Sequence, residues 1–254
     1  MDLDTPEINH LLKFVVTKIN NIFEQELLGV YLFGSLSYGD FVPGRSDIDL
    51  LAVIKRKASE SEVIAVEELF QEIGQKFQLW KGRVECSFTP ASFFKEILPP
   101  VEPRPYFGEK FYKEATYGNE WLINNYLIQE HGIKLFGGDF KALIPHIAIK
   151  DVQEASRRDL LSEWVPKLDD PEFFKDSHYQ SYLVLNLCRI LYTLTQAEAG
   201  SKKTASSWVA NNFPERQSLI EEAQHWEIGK NMDRKNEVEN FLKFAISITK
   251  PHNK

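Results

Sequence analysis

The fold is decided by two neighbouring stretches, VYLFGSLSYG at residues 30–39 and RSDIDLLAV at residues 45–53. The first predicts a short apolar strand that ends at Gly34, and the second predicts another strand after a short loop. Glycine lets the backbone turn sharply there, and the amides that follow it can face a phosphate at the start of a helical turn. The two stretches therefore predict a strand, a tight Gly-Ser turn and a second strand.

Two aspartates, Asp47 and Asp49, lie in the second stretch. Because side chains alternate along a strand, we expect both carboxylates on one face, opposite Ile48 and Leu50. Two such anions repel each other unless a cation lies between them, and Mg²⁺ bound through carboxylates and substrate phosphates is the natural occupant. Taken separately, the turn and the aspartates are ordinary surface features. Together they predict a site for a nucleoside triphosphate.

A third strand is predicted from Arg83 to Phe88, where apolar and polar residues alternate. Its polar face carries Glu85, and an acidic residue in mid-strand is costly to bury without a partner. If this strand lies beside the second one, Glu85 can face the same metal as the two aspartates; otherwise it is an edge-strand glutamate in water. Cys86 points to the other face and is expected to be a small core residue rather than a nucleophile.

Length and composition limit the class of protein. The chain has 254 residues with 43% hydrophobic content, enough for one large or two small domains. Its net charge of −7 argues against a general nucleic-acid-binding protein and suits a cationic small substrate better. Cys86 and Cys188 form neither a disulfide framework nor a metal-ligand spacing. With no apolar leader and no run of ~20 apolar residues, we expect a cytoplasmic protein that does not bind a membrane. We also expect a monomer that binds no nucleic acid.

The pattern of the chain changes near residue 150. Helices are predicted from Pro6 onward and around residues 66–77 and 120–130, while the proline-rich segment 98–105 is predicted to be a loop beside the site. From about Lys150 onward, apolar residues recur only at helical spacing. The predicted fold class is therefore α+β, with a mixed-sheet domain at residues 1–149 followed by an all-α helical domain at residues 150–254.

One long helix is predicted around residues 178–196, with an apolar stripe that begins at Tyr179 and with Tyr182 and Arg189 on one flank. Lys202 and Lys203 follow this helix. One arginine and one lysine facing the carboxylates of the first domain would complete a triphosphate site, whose charge Mg²⁺ only partly offsets. Taken alone, Arg189 is a surface salt-bridge residue and the two lysines belong to a solvated loop.

The Gly-Ser and Asp-x-Asp motifs resemble the nucleotidyltransferase superfamily that includes DNA polymerase β. A narrower resemblance, to the aminoglycoside adenylyltransferases that act on streptomycin and spectinomycin, covers most of the chain. Its motifs are FGE at 107–109, EH at 130–131, LNLCRILY at 185–192, Lys202, Trp208 and FP at 213–214. The resemblance implies a polymerase β-like nucleotidyltransferase domain and a helical domain, with ATP as co-substrate and Mg²⁺ as cofactor.

Roles for individual residues are also implied by the resemblance. Those expected at ATP are Gly34, Ser35, Ser46, Arg189, Lys202 and Trp226. The carboxylates expected at Mg²⁺ are Asp47, Asp49 and Glu85. Glu85 matches the family's third carboxylate, which takes the proton from the attacking hydroxyl.

Two positions depart from the pattern of the enzymes that accept streptomycin. Their tryptophan after the FGE motif is Lys110 here, and an expected acidic residue falls at Tyr179, although Asp176 is close by. The guanidinium groups of streptomycin favour carboxylates and an aromatic face, so spectinomycin or another compact cationic aminocyclitol is the predicted substrate. The predicted substrate contacts are Glu85, Lys110, Asp176, Tyr179 and Tyr182.

The predicted activity is transfer of AMP from ATP to a hydroxyl of the drug, which confers antibiotic resistance. One alternative is an AMP-transferase that acts on another small molecule or on a protein hydroxyl, as antitoxins with the same minimal core do. Another is a degenerate nucleotide sensor that binds without turnover. The sensor is disfavoured because Asp47, Asp49 and Glu85 are all present.

Overall fold

The computed structural model describes residues 6–170, 172–227 and 229–249. The chain divides between His146 and Ile147 into two compact units. The first unit contains a mixed sheet with helices, and the described residues of the second unit form helices and no strand. The predicted α+β class is therefore confirmed.

Six strands form one sheet among the described residues of the first unit. They are β1 (Leu27–Phe33), β2 (Ile48–Ile54), β3 (Val84–Pro90), β4 (Arg104–Phe107), β5 (Phe111–Ala115) and β6 (Ile133–Gly137). Their order is β5-β4-β3-β2-β1-β6. β2 and β3 are parallel, and every other neighbouring pair is antiparallel. The end of β1, the starts of β2 and β3 and the end of β4 therefore lie along one edge of the sheet.

The helices of the first unit precede, connect or follow these strands. They are α1 (Pro6–Phe23), α2 (Ser35–Tyr38), α3 (Glu60–Lys76), α4 (Trp121–His131) and α5 (Phe140–Leu143). α3 begins with a capping box, because the Ser59 hydroxyl accepts from the backbone of Glu62 and the Glu62 carboxylate accepts from the backbone of Ser59. The predicted helices from Pro6 and around residues 66–77 and 120–130 are confirmed.

The main core of the first unit lies on one face of the sheet. Leu11 of α1 and Val66 of α3 belong to the same buried cluster as Leu50 of β2 and Cys86 of β3. Burial raises the pKa of the Cys86 thiol, as expected for a core residue. Because side chains alternate along a strand, residues 49 and 85 point to the opposite face.

Two segments of the first unit differ from the sequence prediction. β2 begins at Ile48, so Asp47 precedes the strand instead of lying in it. The reason is a turn in which the Ser46 N–H donates to the carbonyl of Val42 at 2.9 Å. Arg104 and the residue after it, predicted to be in a loop, begin β4. The β4–β5 register shifts between residues 104 and 106, so the proline lies at an irregularity that tolerates its missing N–H.

The second unit is organised around one long helix. Its helices are α6 (Ile149–Asp159), α7 (Ser177–Gln196), α8 (Lys202–Asn212), α9 (Gln217–His225) and α10 (Lys235–Thr249). α7 packs against the other four. Leu183 and Leu187 of its predicted stripe are fully buried, whereas Tyr179 is exposed. None of the helices in the described ranges is long and apolar enough to cross a membrane.

Candidate functional site

The centre of the candidate site is a pair of carboxylates on adjacent strands. Asp49 of β2 and Glu85 of β3 are register partners in the parallel pairing. On the other side of β2, Phe33 at the end of β1 is the partner of Asp49. Since directly paired residues point to the same face of a sheet, the two carboxylates lie side by side. The third strand thus lies beside the second, which is the condition under which Glu85 can face the same metal as the aspartates.

Gly34 follows β1 directly and lies against the carboxylate of Asp49. Its φ of +72° and ψ of −159° define a backbone conformation open essentially to glycine. A Cβ atom at this position would lie 2.8 Å from Cγ of Asp49 and would overlap Oδ2. Glycine is therefore required both for the turn into α2 and for the close approach to the carboxylate. Ser35, a predicted ATP contact, is the first residue of α2.

Asp47, two residues before Asp49, has a basic partner. Nε of Arg83 is 3.5 Å from Oδ1 of Asp47, and Nη2 of Arg83 donates to the carbonyl oxygen of Ser46 at 2.5 Å. The Arg83 guanidinium also lies over the ring of Trp80, 5.0 Å from its centroid. The Ser46 hydroxyl accepts from the N–H of Val42 at 2.9 Å. Arg83 therefore offsets the charge of Asp47 and fixes the backbone beside it, a role that its position in the sequence did not predict.

The donor set at this edge fits the chemistry of Mg²⁺. Asp49 and Glu85 supply paired carboxylates, and Asp47 precedes Asp49 by two residues; carboxylate oxygens are the ligands that Mg²⁺ prefers. Among the residues that the structure describes, no group of three or more His, Cys, Asp or Glu side chains is arranged to hold a metal ion. The ion pair between Asp47 and Arg83 accords with that result. The three-carboxylate metal site therefore stays a prediction.

Tyr106 of β4, which no sequence pattern predicts to be functional, contacts Glu85. Its hydroxyl donates a hydrogen bond to Oε2 of Glu85 at 2.6 Å. Burial, reinforced by the negative charges of Glu85 and Asp49, raises the pKa of the Tyr106 phenol well above its ordinary value. The phenol is therefore a protonated donor at neutral pH. The position of Tyr106 immediately before the FGE motif was the one feature of the sequence that could have indicated a functional role.

Arg104 supports the same face of the sheet. Its Nε donates to the Ser87 hydroxyl at 2.9 Å, and its Nη1 donates to the carbonyl of Ala115 at 3.1 Å. The guanidinium carbon lies 4.0 Å from the ring centroid of Tyr117 and 5.4 Å from that of Tyr106. Burial lowers the pKa of Arg104, partly offset by the neighbouring tyrosines. This side chain therefore links β3, β4 and the end of β5 beside the carboxylates.

Lys110 lies in the turn between β4 and β5, where Phe107 pairs with Phe111. Its carbonyl accepts from the N–H of Gly108 at 3.0 Å, and the residue is exposed. This turn follows the end of β4 and therefore lies at the same edge of the sheet as Glu85. Lys110 would therefore make its predicted substrate contact with an exposed side chain at that edge.

The predicted residues of the second unit lie on and near α7. Tyr182 and Arg189 project from the same side of α7, about two turns apart. Lys202 is the first residue of α8, which is capped by the Ser201 hydroxyl accepting from the N–H of Thr204 at 3.1 Å. Nζ of Lys202 lies 5.5 Å from the ring centroid of Tyr182. The structure thus brings together a predicted ATP contact and a predicted substrate contact.

Six aromatic side chains surround the start of α7 and form what we call the aromatic cluster: Trp164, Phe173, His178, Tyr179, Tyr182 and Trp226. Tyr179 stacks on Phe173 with ring centroids 5.0 Å apart, and His178 stacks on Trp226 at 5.6 Å. Trp226 also donates from Nε1 to the carbonyl of Lys230 at 2.8 Å. His178 was missed in the sequence, although it precedes Tyr182 by one helical turn.

Asp176 has a structural role at this helix end. Its Oδ1 accepts from the N–H groups of His178 at 2.7 Å and Tyr179 at 3.2 Å. A capping carboxylate stabilises a helix through these bonds and through the helix dipole. The predicted substrate contact of Asp176 would therefore come from the cap residue of α7.

Two family models match the chain. The nucleotidyltransferase domain matches residues 16–104, a range that contains Gly34, Asp47, Asp49 and Glu85. The C-terminal domain of aminoglycoside adenylyltransferases matches residues 143–249, which contain the helices of the second unit.

Similar proteins cover most of the chain. The spectinomycin 9-adenylyltransferase of Campylobacter jejuni is 26% identical over 211 residues, which are 80% of this chain and 78% of that protein. The enzyme of the same name from Staphylococcus aureus is 23% identical over 207 residues, 77% of this chain and 75% of its own. The solved structure of the spectinomycin adenyltransferase AAD(9) from Enterococcus faecialis, with ATP and spectinomycin, has the same fold. Its TM-score is 0.67 at 21% identity, with 92% of this chain and 99% of that chain covered. Because both domains occur in one chain and in this order, the protein belongs to the aminoglycoside adenylyltransferase family of the nucleotidyltransferase superfamily.

Proposed function

We propose that this protein transfers AMP from ATP to a hydroxyl group of spectinomycin and thereby inactivates the drug in the cytoplasm. The observation that carries the proposal is the strand pairing of Asp49 with Glu85 beside Gly34. This arrangement supplies carboxylate oxygens for a metal ion and, on Glu85, an acceptor for a proton. The relatives of this chain named for spectinomycin support the choice of drug.

In the proposed reaction, the oxygen of the drug hydroxyl attacks the α-phosphorus of ATP. The bond from that phosphorus to the oxygen bridging to the β-phosphate breaks, and pyrophosphate leaves. Glu85 accepts the proton of the hydroxyl, as a general base within hydrogen-bond reach. Asp47, Asp49 and Glu85 would hold Mg²⁺, which would supply positive charge to offset the phosphates.

ATP is proposed to be held by both units. In the first unit, Gly34 and Ser35 form the turn that follows β1, and Ser46 precedes the aspartates. In the second unit, Arg189 and Lys202 supply positive charge for the triphosphate. Trp226 offers a ring stacked on His178, at the edge of the aromatic cluster.

The drug is proposed to contact Glu85, Lys110, Asp176, Tyr179 and Tyr182. Tyr179 and Tyr182 present partly exposed rings, which suit the apolar faces of a compact ring system and a nearby cationic amine. Lys110 places a positive charge at the position where the guanidinium groups of streptomycin favour an aromatic ring. We therefore favour spectinomycin over streptomycin as the substrate. We also propose that the enzyme is a monomer.

Incubation of the purified protein with ATP, MgCl₂ and either drug, followed by mass spectrometry, tests the proposal. We expect spectinomycin to gain one adenylyl group and streptomycin to stay unmodified. Glu85→Gln should lower kcat by about 10²- to 10⁴-fold, because a general base contributes that much. Calorimetric titration should show ATP binding nearly unchanged in this variant.

The matched control is Glu114→Gln, which neutralises an exposed glutamate on β5 of the same unit. This variant should retain the activity of the parent protein. A fully active Glu85→Gln would refute the assignment of the base, and absence of any adenylylated drug with the parent protein would refute the proposed function.

A further inference from the structure

Tyr106 links the carboxylate pair to a neighbouring strand of the first unit. Its hydroxyl donates to Oε2 of Glu85 at 2.6 Å, and it does so from β4, a different strand from the one that carries the glutamate. A short bond from a neutral donor to a carboxylate is among the stronger hydrogen bonds in proteins. The contact therefore fixes the rotation of the Glu85 side chain.

The surrounding chain is shaped to bring this hydroxyl to the carboxylate. A Cβ atom added to Gly108 would lie 2.9 Å from the Tyr106 hydroxyl oxygen and 3.3 Å from the ring. Glycine at position 108 therefore leaves the space that the phenol occupies. The Tyr106 ring also lies beside the Arg104 guanidinium, at 5.4 Å, and beside the Tyr112 ring, at 6.1 Å.

A carboxylate that acts as a base has to present one oxygen to the substrate in a fixed direction. In Glu85, Oε2 accepts the bond from the phenol. The carboxylate plane is thereby held, and Oε1 has a defined direction. Without the phenol, the side chain of Glu85 would lose one of its fixed contacts and would be less often aligned for proton transfer.

We propose that Tyr106 is a positioning residue for adenylyl transfer, which holds the Glu85 carboxylate in the orientation that accepts the proton of the substrate hydroxyl. This inference rests on the proposed function, in which Glu85 is the base. It assigns to the β4–β5 hairpin a part in catalysis through Tyr106 and, indirectly, through Gly108.

The test compares Tyr106→Phe with Tyr112→Phe. Both variants remove one phenolic hydroxyl from the same hairpin, but only the first removes the donor to Glu85. For Tyr106→Phe we expect kcat to fall by about 10- to 100-fold, because a base that is no longer held in the productive orientation loses rate on that order. KM for ATP and for the drug should stay within about twofold, because the interaction does not bind either substrate. Tyr112→Phe should leave kcat and both KM values unchanged.

A second variant approaches the same contact without removing the donor. Gly108→Ala should displace the phenol, lowering kcat in the same direction with unchanged KM values. Combined with Tyr106→Phe it should add little, since both changes act on one interaction. Thermal unfolding and calorimetric ATP titration of each variant, which do not depend on turnover, establish that the fold and the nucleotide site are intact.

The results separate the inference from the function on which it rests. Parent protein that forms no adenylylated drug overturns both. Normal turnover by the parent, together with an unchanged kcat in Tyr106→Phe, overturns the positioning role alone. A rise in KM without a fall in kcat, or an equal loss in Tyr112→Phe, also overturns it.

Discussion

Asp49 and Glu85 of the first unit are fixed by strand pairing, whereas Tyr179 and Tyr182 of the second unit project from an exposed part of a helix. The spacing of the strand partners cannot change without breaking the hydrogen bonds between β2 and β3. Tyr179 and Tyr182 are 46% and 41% exposed, and their ring contacts tolerate small shifts. The first unit therefore holds its polar groups rigidly, and the second offers an adaptable aromatic and basic surface.

This difference corresponds to the two requirements of a transfer reaction. Displacing a reacting group by ~1 Å can cost about 10²-fold in rate, so the groups that do the chemistry belong on a rigid sheet. Substrate recognition tolerates more freedom, because a long side chain on a helix surface can adjust its rotamer to the ligand. Substitutions in the first unit should therefore act mainly on kcat, and those in the second mainly on KM.

The largest effect among the following substitutions is expected for Gly34→Ala. The added Cβ overlaps the carboxylate of Asp49 and forces alanine into a conformation open essentially to glycine. We expect kcat to fall by about 100-fold or more, from displacement of the carboxylate. Unfolding in urea should show a loss of roughly 1–3 kcal/mol in the free energy of unfolding.

Gly44→Ala is the matched control. Gly44 also has a positive φ, of +81°, but a Cβ there would meet nothing within 4 Å. It should lose about 1 kcal/mol of stability and keep its kcat. If Gly34→Ala kept full activity, the rigidity claimed for the first unit would be wrong.

An intermediate effect is expected for Lys202→Ala in the second unit. If Lys202 contacts the triphosphate, as we propose, removing its charge should raise KM for ATP by about 10-fold, with kcat within about twofold. Lys203→Ala, one residue further along the exposed start of α8, is the control and should change KM by less than about twofold. Steady-state kinetics over a range of ATP concentrations measures both. A fall in kcat at unchanged KM would break the contrast between the units.

The smallest effect is expected at Asp176, where two variants separate the helix cap from substrate recognition. Asp176→Ala should lower the free energy of unfolding by about 1 kcal/mol, because the bonds to the N–H groups of His178 and Tyr179 are lost. Tm should fall by about 2–4 °C. Asp176→Asn keeps an equivalent cap and should retain the Tm.

The same pair of variants tests the drug contact. Since asparagine lacks the negative charge, Asp176→Asn should raise KM for spectinomycin by about threefold if the carboxylate meets a cationic amine, as we propose. An unchanged KM in Asp176→Asn would leave Asp176 with the capping role only and would leave drug recognition in the second unit to Tyr179 and Tyr182.

The sequence predicted the site best where local pattern and spacing decide the structure. Gly34 and Asp49 were found because a strand, a glycine turn and a second strand follow one another within a few residues. Glu85 was found because alternation in the third strand places it on a polar face. Asp47 was placed wrongly on β2. Alternation does not reveal the turn at Ser46, which delays the start of the strand to Ile48.

The residues that the sequence missed are those whose importance depends on contacts distant along the chain. Tyr106 reaches Glu85 across a strand pairing that no local pattern predicts. β4 was missed because it is four residues long and contains a proline. Arg83 was assigned only to the polar face of a strand, and its ion pair with Asp47 emerges from the packing of the preceding loop.

By itself, the sequence determined the α+β class, the turn at Gly34 and the polar strand faces that carry Asp49 and Glu85, because backbone freedom and side-chain periodicity are local properties of the chain. Only the tertiary structure decided the adjacency of β2 and β3, the register of Asp49 with Glu85 and the hydrogen bond from the Tyr106 phenol to Glu85. Those depend on which segments meet in space. Spacing along the chain cannot specify such meetings, because they follow from the packing of the whole unit.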